Sequence, residues 1–296
     1  MSHKQLRRYP LYVPYLYLAP AMAILCFFVF YPLLKAFVYS AQSYNLLSPP
    51  RWVGLDNYRA LMADDRFGSA FLNSIRYFIC VVPLLIVLPM LLAILVNRQL
   101  KGITVFRALF YIPVITSMVV AGIMWKWIYM EGGILDWLLI DVCKIVTVSP
   151  RWLTDPKTAL YSVMVVTVWK GLGYYMVVYL AGLQAIPVEL YEAAKIDGAS
   201  AFKRFKAITG PMLAPSMAVV AVMSSMAAMK VFDEIYVMTA GGPFETTQTV
   251  VYDVYVTAFN DLKFGYASAM GVILFVVLLV FSTLSVRMSE RSYSGA

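Results

Sequence analysis

Apolar and polar positions alternate along this chain in long blocks rather than with the short period of a soluble domain. Six runs of mostly apolar residues stand out, from Tyr15 to about Tyr39, about Phe71 to Val96, Ala108 to Ile128, Thr158 to Leu183, Met212 to Phe232, and Phe264 to Val286. Each approaches or exceeds the roughly 20 residues that carry an α-helix across a bilayer. The first run follows a short basic tail, as in a signal peptide, but a secretory apolar core spans only about 7 to 15 residues, so a retained span is expected. Pro20 and Pro32 are expected to kink it. The predicted fold is therefore all-α and integral to the membrane, with six transmembrane helices over residues 15–287, a tail at 1–14 and another at 288–296.

The polar stretch between the fourth and fifth runs, PVELYEAAKIDGASAFKRFKAITGP at 187–211, has its own helical grammar. Pro187 suits a first helical turn, Glu189 and Glu192 favour its positive end, and Gly198 suits a left-handed cap. Ser200 is placed to cap a second helix through Ile208, with Lys203, Arg204 and Lys206 toward its negative end and Pro211 expected to stop it. A helix–turn–helix this short cannot bury Leu190, Tyr191, Ala194, Phe202, Phe205 and Ile208 by itself. Either lipid headgroups or a partner protein must cover them.

With 61% hydrophobic and 14% charged residues in 296, the chain is too apolar for a soluble domain. Its net charge of +8 is dispersed between apolar runs, which excludes a nucleic-acid-binding surface. If the N-terminus is cytoplasmic, the loops on that side hold Lys4, Arg7, Arg8, Arg98, Lys101, Arg107, Lys195, Lys203, Arg204, Lys206, Arg287 and Arg291, against Glu189, Glu192, Asp197 and Glu290. The whole excess of positive charge then lies on one side, as the positive-inside rule requires, and both termini and the 187–211 loop face the cytoplasm.

Little here can do covalent chemistry. Cys26, Cys80 and Cys143 have no paired spacing and His3 is the single histidine, so neither a disulfide framework nor a metal site is expected, and no cofactor is implied. No phosphate-cradling GxxxxGK motif, HExxH or GxSxG occurs, so the chain is read as non-catalytic, with any ATP hydrolysis in another subunit. Charged residues bordering spans remain to be explained. Lys35, Arg76 and Lys126 lie near span ends where they can snorkel, whereas Lys170 and Lys230 are less readily explained in that way. Lys230, Asp233 and Glu234, at i, i+3 and i+4, are expected on one helical face, either lining an outer mouth or neutralising one another. Trp169-Lys170-Gly171-Leu172-Gly173-Tyr174-Tyr175 in the fourth run joins glycines, which allow close helix approach or local unwinding, to two aromatic hydroxyls.

Glu192-Ala193-Ala194, with Asp197-Gly198-Ala199 and then Ile208 and Pro211, resembles the EAA loop of binding-protein-dependent ABC importer permeases. Gly210 departs from that pattern, since Leu usually precedes the final Pro. The likeness extends through LAPAMAILCFFVFYPLLKAF, RWVGLDNYRAL, FRALFYIPVITS, GLGYYMVVYLAGLQAIPVELYEAAKIDGA, TAGGPFETTQT and FGYASAM. Together these segments are similar to the first permease subunit of maltose-type and glycerol-phosphate-type carbohydrate importers. The resemblance implies the type I ABC importer permease fold, a second homologous permease, two ATPase subunits docked at the loop, an extracytoplasmic solute-binding protein, and a location in the plasma (inner) membrane in contact with lipid. It also implies a sugar substrate, an oligosaccharide or polyol glycoside, for which Tyr174, Tyr175, Lys230, Asp233 and Glu234 are the candidate contacts. The alternatives are an ABC permease for a non-sugar solute and a secondary or passive transporter without an ATPase. A secondary transporter would carry acids deep in its spans, whereas here they sit in loops or at span ends.

The charge distribution predicts that single cysteines replacing Ser2, Ser200 or Ser294, in a chain freed of its own cysteines, resist impermeant thiol reagents in intact cells. Cysteines replacing Asp141 or Glu245 should label. The reverse pattern would invert the topology.

Overall fold

The computed structural model describes residues 12–97 and 101–294. The basic tail with His3, Lys4, Arg7 and Arg8 lies outside the described residues, as do Arg98 and the side chains of Glu290 and Arg291. Among the described residues, five helices are long and apolar enough to cross a membrane, and a bent helix pair makes a sixth candidate span. We number the helices α1 (Val13–Ser40), α2 (Asp56–Met62), α3 (Asp65–Val96), α4 (Ile103–Ile115), α5 (Met118–Ile128), α6 (Ala159–Gln184), α7 (Val188–Ile196), α8 (Ala201–Met229), α9 (Asp233–Met238), α10 (Val250–Tyr255) and α11 (Phe264–Ser294).

The chain divides into two compact units, the first comprising residues up to Ala63 together with Val254–Ile273. Within it, α1 is an apolar cylinder with Ser40, near its end, as its one buried residue. A two-residue hairpin follows, β1 (Gln42–Ser43) antiparallel to β2 (Arg51–Trp52). Asn57 ties it to the helix end, its Nδ2 donating to the carbonyls of Ser40 at 2.8 Å and Gln42 at 3.0 Å, while Tyr58 donates to Ser40 Oγ at 2.7 Å. Gly265, at the start of α11, lies so close to the Gln42 carbonyl that any side chain there would collide with it.

The second unit holds Asp64–Asp253 and the remainder of α11. Its core is the packing of α3 on α6, which buries Tyr77, Val81, Val163, Val166 and Tyr179 completely. Asp64 caps α3, accepting from the amides of Arg66 at 2.9 Å and Phe67 at 3.4 Å, so this span starts earlier than Phe71. Leu213 and Val220 of α8 are buried as well, and at Gly182 of α6 a Cβ would strike Ser216 of α8. Helices that close rely on small residues and van der Waals contact, as expected where lipid removes the hydrophobic drive between helices.

Three expectations need correction. The third span is not continuous over Ala108–Ile128: α4 and α5 meet at Thr116 and Ser117 with a bend of 102°. Pro211 does not stop the second loop helix, which runs on through Gly210 (φ −61°) as α8, the fifth span. Nor does that span last to Phe232, since the helix ends at Met229. Proline explains why α8 survives. Pro211 leaves the Ala207 carbonyl without its usual donor, and the chain widens into a π-helical turn over Phe205–Thr209, around that carbonyl. Pro32 and Cys26–Phe30 repeat the device in α1.

Between the third and fourth spans, the connection folds around Asp136. Its buried carboxylate accepts from Ser149 Oγ, from Trp152 Nε1 at 3.1 Å and from the Gly132 amide at 2.9 Å. The Ser149 hydrogen bond is the largest influence holding this carboxyl below its ordinary value of 3.8, against the opposing effect of burial. A depressed folded pKa gives stability that is present above the unfolded value and is lost as pH falls through the folded one. Protection of residues 130–157 against hydrogen exchange, taken relative to intrinsic rates, should therefore be unchanged on acidification to the ordinary carboxylate range and should fall only below it. Asp136→Ala should open this connection by about 2 kcal/mol at neutral pH, because three donors lose their acceptor. Equal exchange in variant and wild type would refute the clasp.

Candidate functional site

Two places in the second unit gather the residues singled out from the sequence. The first is the 187–211 loop. Pro187 stands at the N-cap of α7 rather than inside its first turn, and the helix is nine residues long. Gly198 turns the chain at φ +69°, with open space where a Cβ would stand, so it serves conformation and not packing. Ser200 then caps α8, its Oγ accepting from the Lys203 amide at 3.3 Å. The Tyr191 hydroxyl, 2.9 Å from Thr209 Oγ1, pins α7 to the π-helical turn.

Glu192, Ala193, Asp197 and Gly198 are exposed, and Ala194 and Ala199 are half-buried. Around them Val188, Leu190, Ile196 (87% exposed) and Phe202 (73% exposed) present apolar side chains without cover. Lys195, Lys203 and Lys206 are exposed among them. The loop is thus a preformed turn whose own chain leaves its apolar face bare.

The second place is a cavity of about 230 Å³ lined by Leu85, Val114, Thr167, Lys170, Gly171, Tyr174, Tyr175, Ala227 and Glu234. Helix α6 supplies most of the wall and runs unbroken past both glycines. At Gly173 a Cβ would run into the carbonyl of Phe110, and at Gly171 it would stand 2.7 Å from Leu85, so both glycines serve close helix packing and not unwinding. The break lies across the cavity instead, where α4 ends.

There Lys170 reaches over from α6, its Nζ donating to the carbonyls of Pro113 at 2.9 Å, Val114 at 3.4 Å and Thr116. Tyr174 and Tyr175 meet edge to face, centroids 5.2 Å apart, with Tyr174 40% and Tyr175 6% exposed. Glu234 enters from α9, its Oε1 accepting from Thr167 Oγ1 at 3.3 Å, and Thr167 in turn contacts the Tyr77 hydroxyl.

Lys230 and Asp233 do not line this cavity. The expectation of a shared helical face for Lys230, Asp233 and Glu234 fails because Lys230 terminates α8 and α9 begins anew at Asp233, with Phe232 at φ −139° between them. No ion pair joins the three among the described residues. Spacing rules assume one continuous helix, and nothing in the local sequence announces this stop.

The TAGGPFETTQT segment acquires a physical account that its sequence alone did not provide. Asn73 of α3 donates to the carbonyls of Thr246 at 2.9 Å and Gln248 at 3.0 Å, and Ser74 Oγ accepts from the Val250 amide at 3.0 Å. Thr247 and Thr249 donate to the carbonyls of Gly242 at 2.7 Å and Val231 at 3.0 Å. Arg66 completes the clasp with a 2.9 Å ion pair to Asp253, which is 1% exposed. A larger cavity of about 780 Å³, lined among others by Trp127, Tyr129, Arg151, Trp152 and Pro243, contains none of the five candidate sugar contacts.

Residues 60–295 match the family described as "Binding-protein-dependent transport system inner membrane component". The trehalose/maltose transport system permease protein MalF of Thermococcus litoralis is 34% identical over 274 residues, covering 90% of each chain. The arabinooligosaccharides transport system permease protein AraP of Bacillus subtilis is 34% identical over 287 residues, 95% of this chain and 90% of that one. Among solved structures, a bacterial ABC transporter involved in the import of the acidic polysaccharide alginate superposes with a TM-score of 0.83 at 24% identity, covering 95% of this chain and 96% of that one. With the break between α4 and α5, the Gly198 turn and the long apolar helices in place, the chain belongs to the binding-protein-dependent transport system inner membrane components and is a multi-pass ABC importer permease of type I fold.

Proposed function

We propose that this permease carries a sugar, an oligosaccharide or polyol glycoside, through a path shared with a second homologous permease, driven by two cytoplasmic ATPase subunits and fed by an extracytoplasmic solute-binding protein. Both termini and the 187–211 loop face the cytoplasm in this reading, as the clustering of basic residues favours. The observation that carries it is the loop: a Gly198-turned helix pair that leaves Val188, Leu190, Ile196 and Phe202 bare among charged side chains, as a docking surface for another protein would be. The names of the relatives, transporters of trehalose/maltose and arabinooligosaccharides, support a carbohydrate substrate. So does the cavity, where the Tyr174 and Tyr175 rings can meet the apolar C–H faces of a sugar beside hydroxyl and carboxylate groups. Lys230 and Asp233 stand apart from that cavity, and their proposed role is limited to its approach.

Gly198→Val places a β-branched residue in the left-handed region at a cost of about 1–2 kcal/mol and tilts α7 against α8. Glu192→Lys puts positive charge in a helix whose early turns favour negative charge. Both variants should lower transport and binding-protein-stimulated ATP hydrolysis several-fold while the solute-binding protein still binds its sugar. Normal stimulation in both would refute docking at this loop.

Tyr174→Ala and Tyr175→Ala, compared at equal membrane abundance, should each reduce sugar uptake by up to about tenfold with the ATPase subunits still attached. Undiminished uptake in both, or a preference for amino acids, peptides or inorganic ions over sugars, would overturn the assignment of site and solute.

A further inference from the structure

The donors and acceptors around the 230 Å³ cavity are unequally committed. An ammonium group has three N–H donors. Those of Lys170 face three carbonyls, of Pro113, Val114 and Thr116, at the frayed end of α4. Lys170 therefore lines the cavity without a hydrogen left to offer a solute, and its charge is directed at the negative end of a helix.

Glu234 is in the opposite position. A carboxylate has about four lone-pair sites. The side chains around Glu234 supply one hydrogen bond, the 3.3 Å bond from Thr167, and its own backbone supplies another. It thus retains acceptor capacity in the cavity that the Tyr174 and Tyr175 rings also line. The site sets that strong acceptor beside the Tyr174 and Tyr175 hydroxyls, while Lys170 adds no further donor. It suits a ligand that brings its own O–H donors, and it disfavours a carboxylate, which would meet Glu234 while the Lys170 ammonium, already attracted to Glu234, has no N–H left to receive it.

We propose that Glu234 is the specificity-determining residue of this cavity, accepting hydrogen bonds from neighbouring hydroxyls of a neutral saccharide and rejecting saccharides that carry carboxylates. Lys170 is a positioning residue: it fixes the α4 wall and takes no part in contacting the solute. The inference rests on the sugar-transport reading above and deepens it by naming the charge class.

The test uses the complete assembly with its second permease and ATPase subunits in lipid nanodiscs, without solute-binding protein, so that the cavity's own preference is read. Saturation-transfer NMR with maltotriose, lactose and arabinotriose as neutral probes, and trigalacturonate as the anionic probe, reports binding directly. In the wild type at least one neutral probe should bind at least tenfold more tightly than trigalacturonate. Glu234→Gln should bring that ratio close to one, and Glu234→Asp, which keeps the charge on a shorter arm, should restore discrimination while weakening neutral binding. An unchanged ratio in Glu234→Gln, or trigalacturonate binding to the wild type as well as the neutral probes do, overturns the inference while leaving sugar transport standing. Binding of no saccharide by the wild type overturns both. If Glu234→Gln fails to assemble, loss of discrimination in Glu234→Asp overturns the inference and its retention supports it.

Discussion

A backbone carbonyl without a hydrogen-bond donor is costly inside a bilayer, and the break between α4 and α5 creates several at once. The rest of the second unit is arranged around the repair. Lys170 must come from a neighbouring helix close enough to reach those carbonyls, which requires α6 to lie against α4 with nothing larger than Gly173 between them. That closeness sets the position of Tyr174 and Tyr175, which line the cavity together with Glu234. A lysine in the middle of a membrane helix is usually costly; here the cost is offset because the charge meets the negative end of a helix and all three of its donors are used.

The spans were legible in the sequence because their signal is composition over about 20 residues, and single substitutions hardly change it. Their interruptions were not legible, for the opposite reason. The bend at Thr116–Ser117 follows Pro113, but Pro20, Pro83, Pro89 and Pro215 sit inside helices that continue, so proline alone does not mark a break. What separates them is whether a group such as Lys170 stands ready for the freed carbonyls, and that is tertiary information. The end of α8 at Met229 was hidden in the same way, since Lys230 to Glu234 reads as helix by spacing and departs from it only in three dimensions.

The loop was more readable than the cavity because its signals are local. Gly198 at positive φ and the Ser200 cap follow from single residues and their immediate neighbours. The cavity instead draws on four helices and a short fifth, so only the part contributed by α6 and the single residue Glu234 could be named in advance. The clasp of Asn73, Ser74 and Arg66 on residues 246–253 spans more than 170 positions, a separation at which no spacing rule operates.

Because Pro211 widens the helix without ending it, the loop and the cavity share one rod. Ala201 begins α8 beside the Gly198 turn and Ala227, near its other end, lines the cavity. At about 1.5 Å per residue these points are some 39 Å apart, so a tilt of about 5° at the loop displaces the cavity wall by about 3 Å. That is nearly the width of a hydroxyl-bearing carbon. A rigid tilt of this helix about the loop would thus be read out as a change in cavity size at its other end.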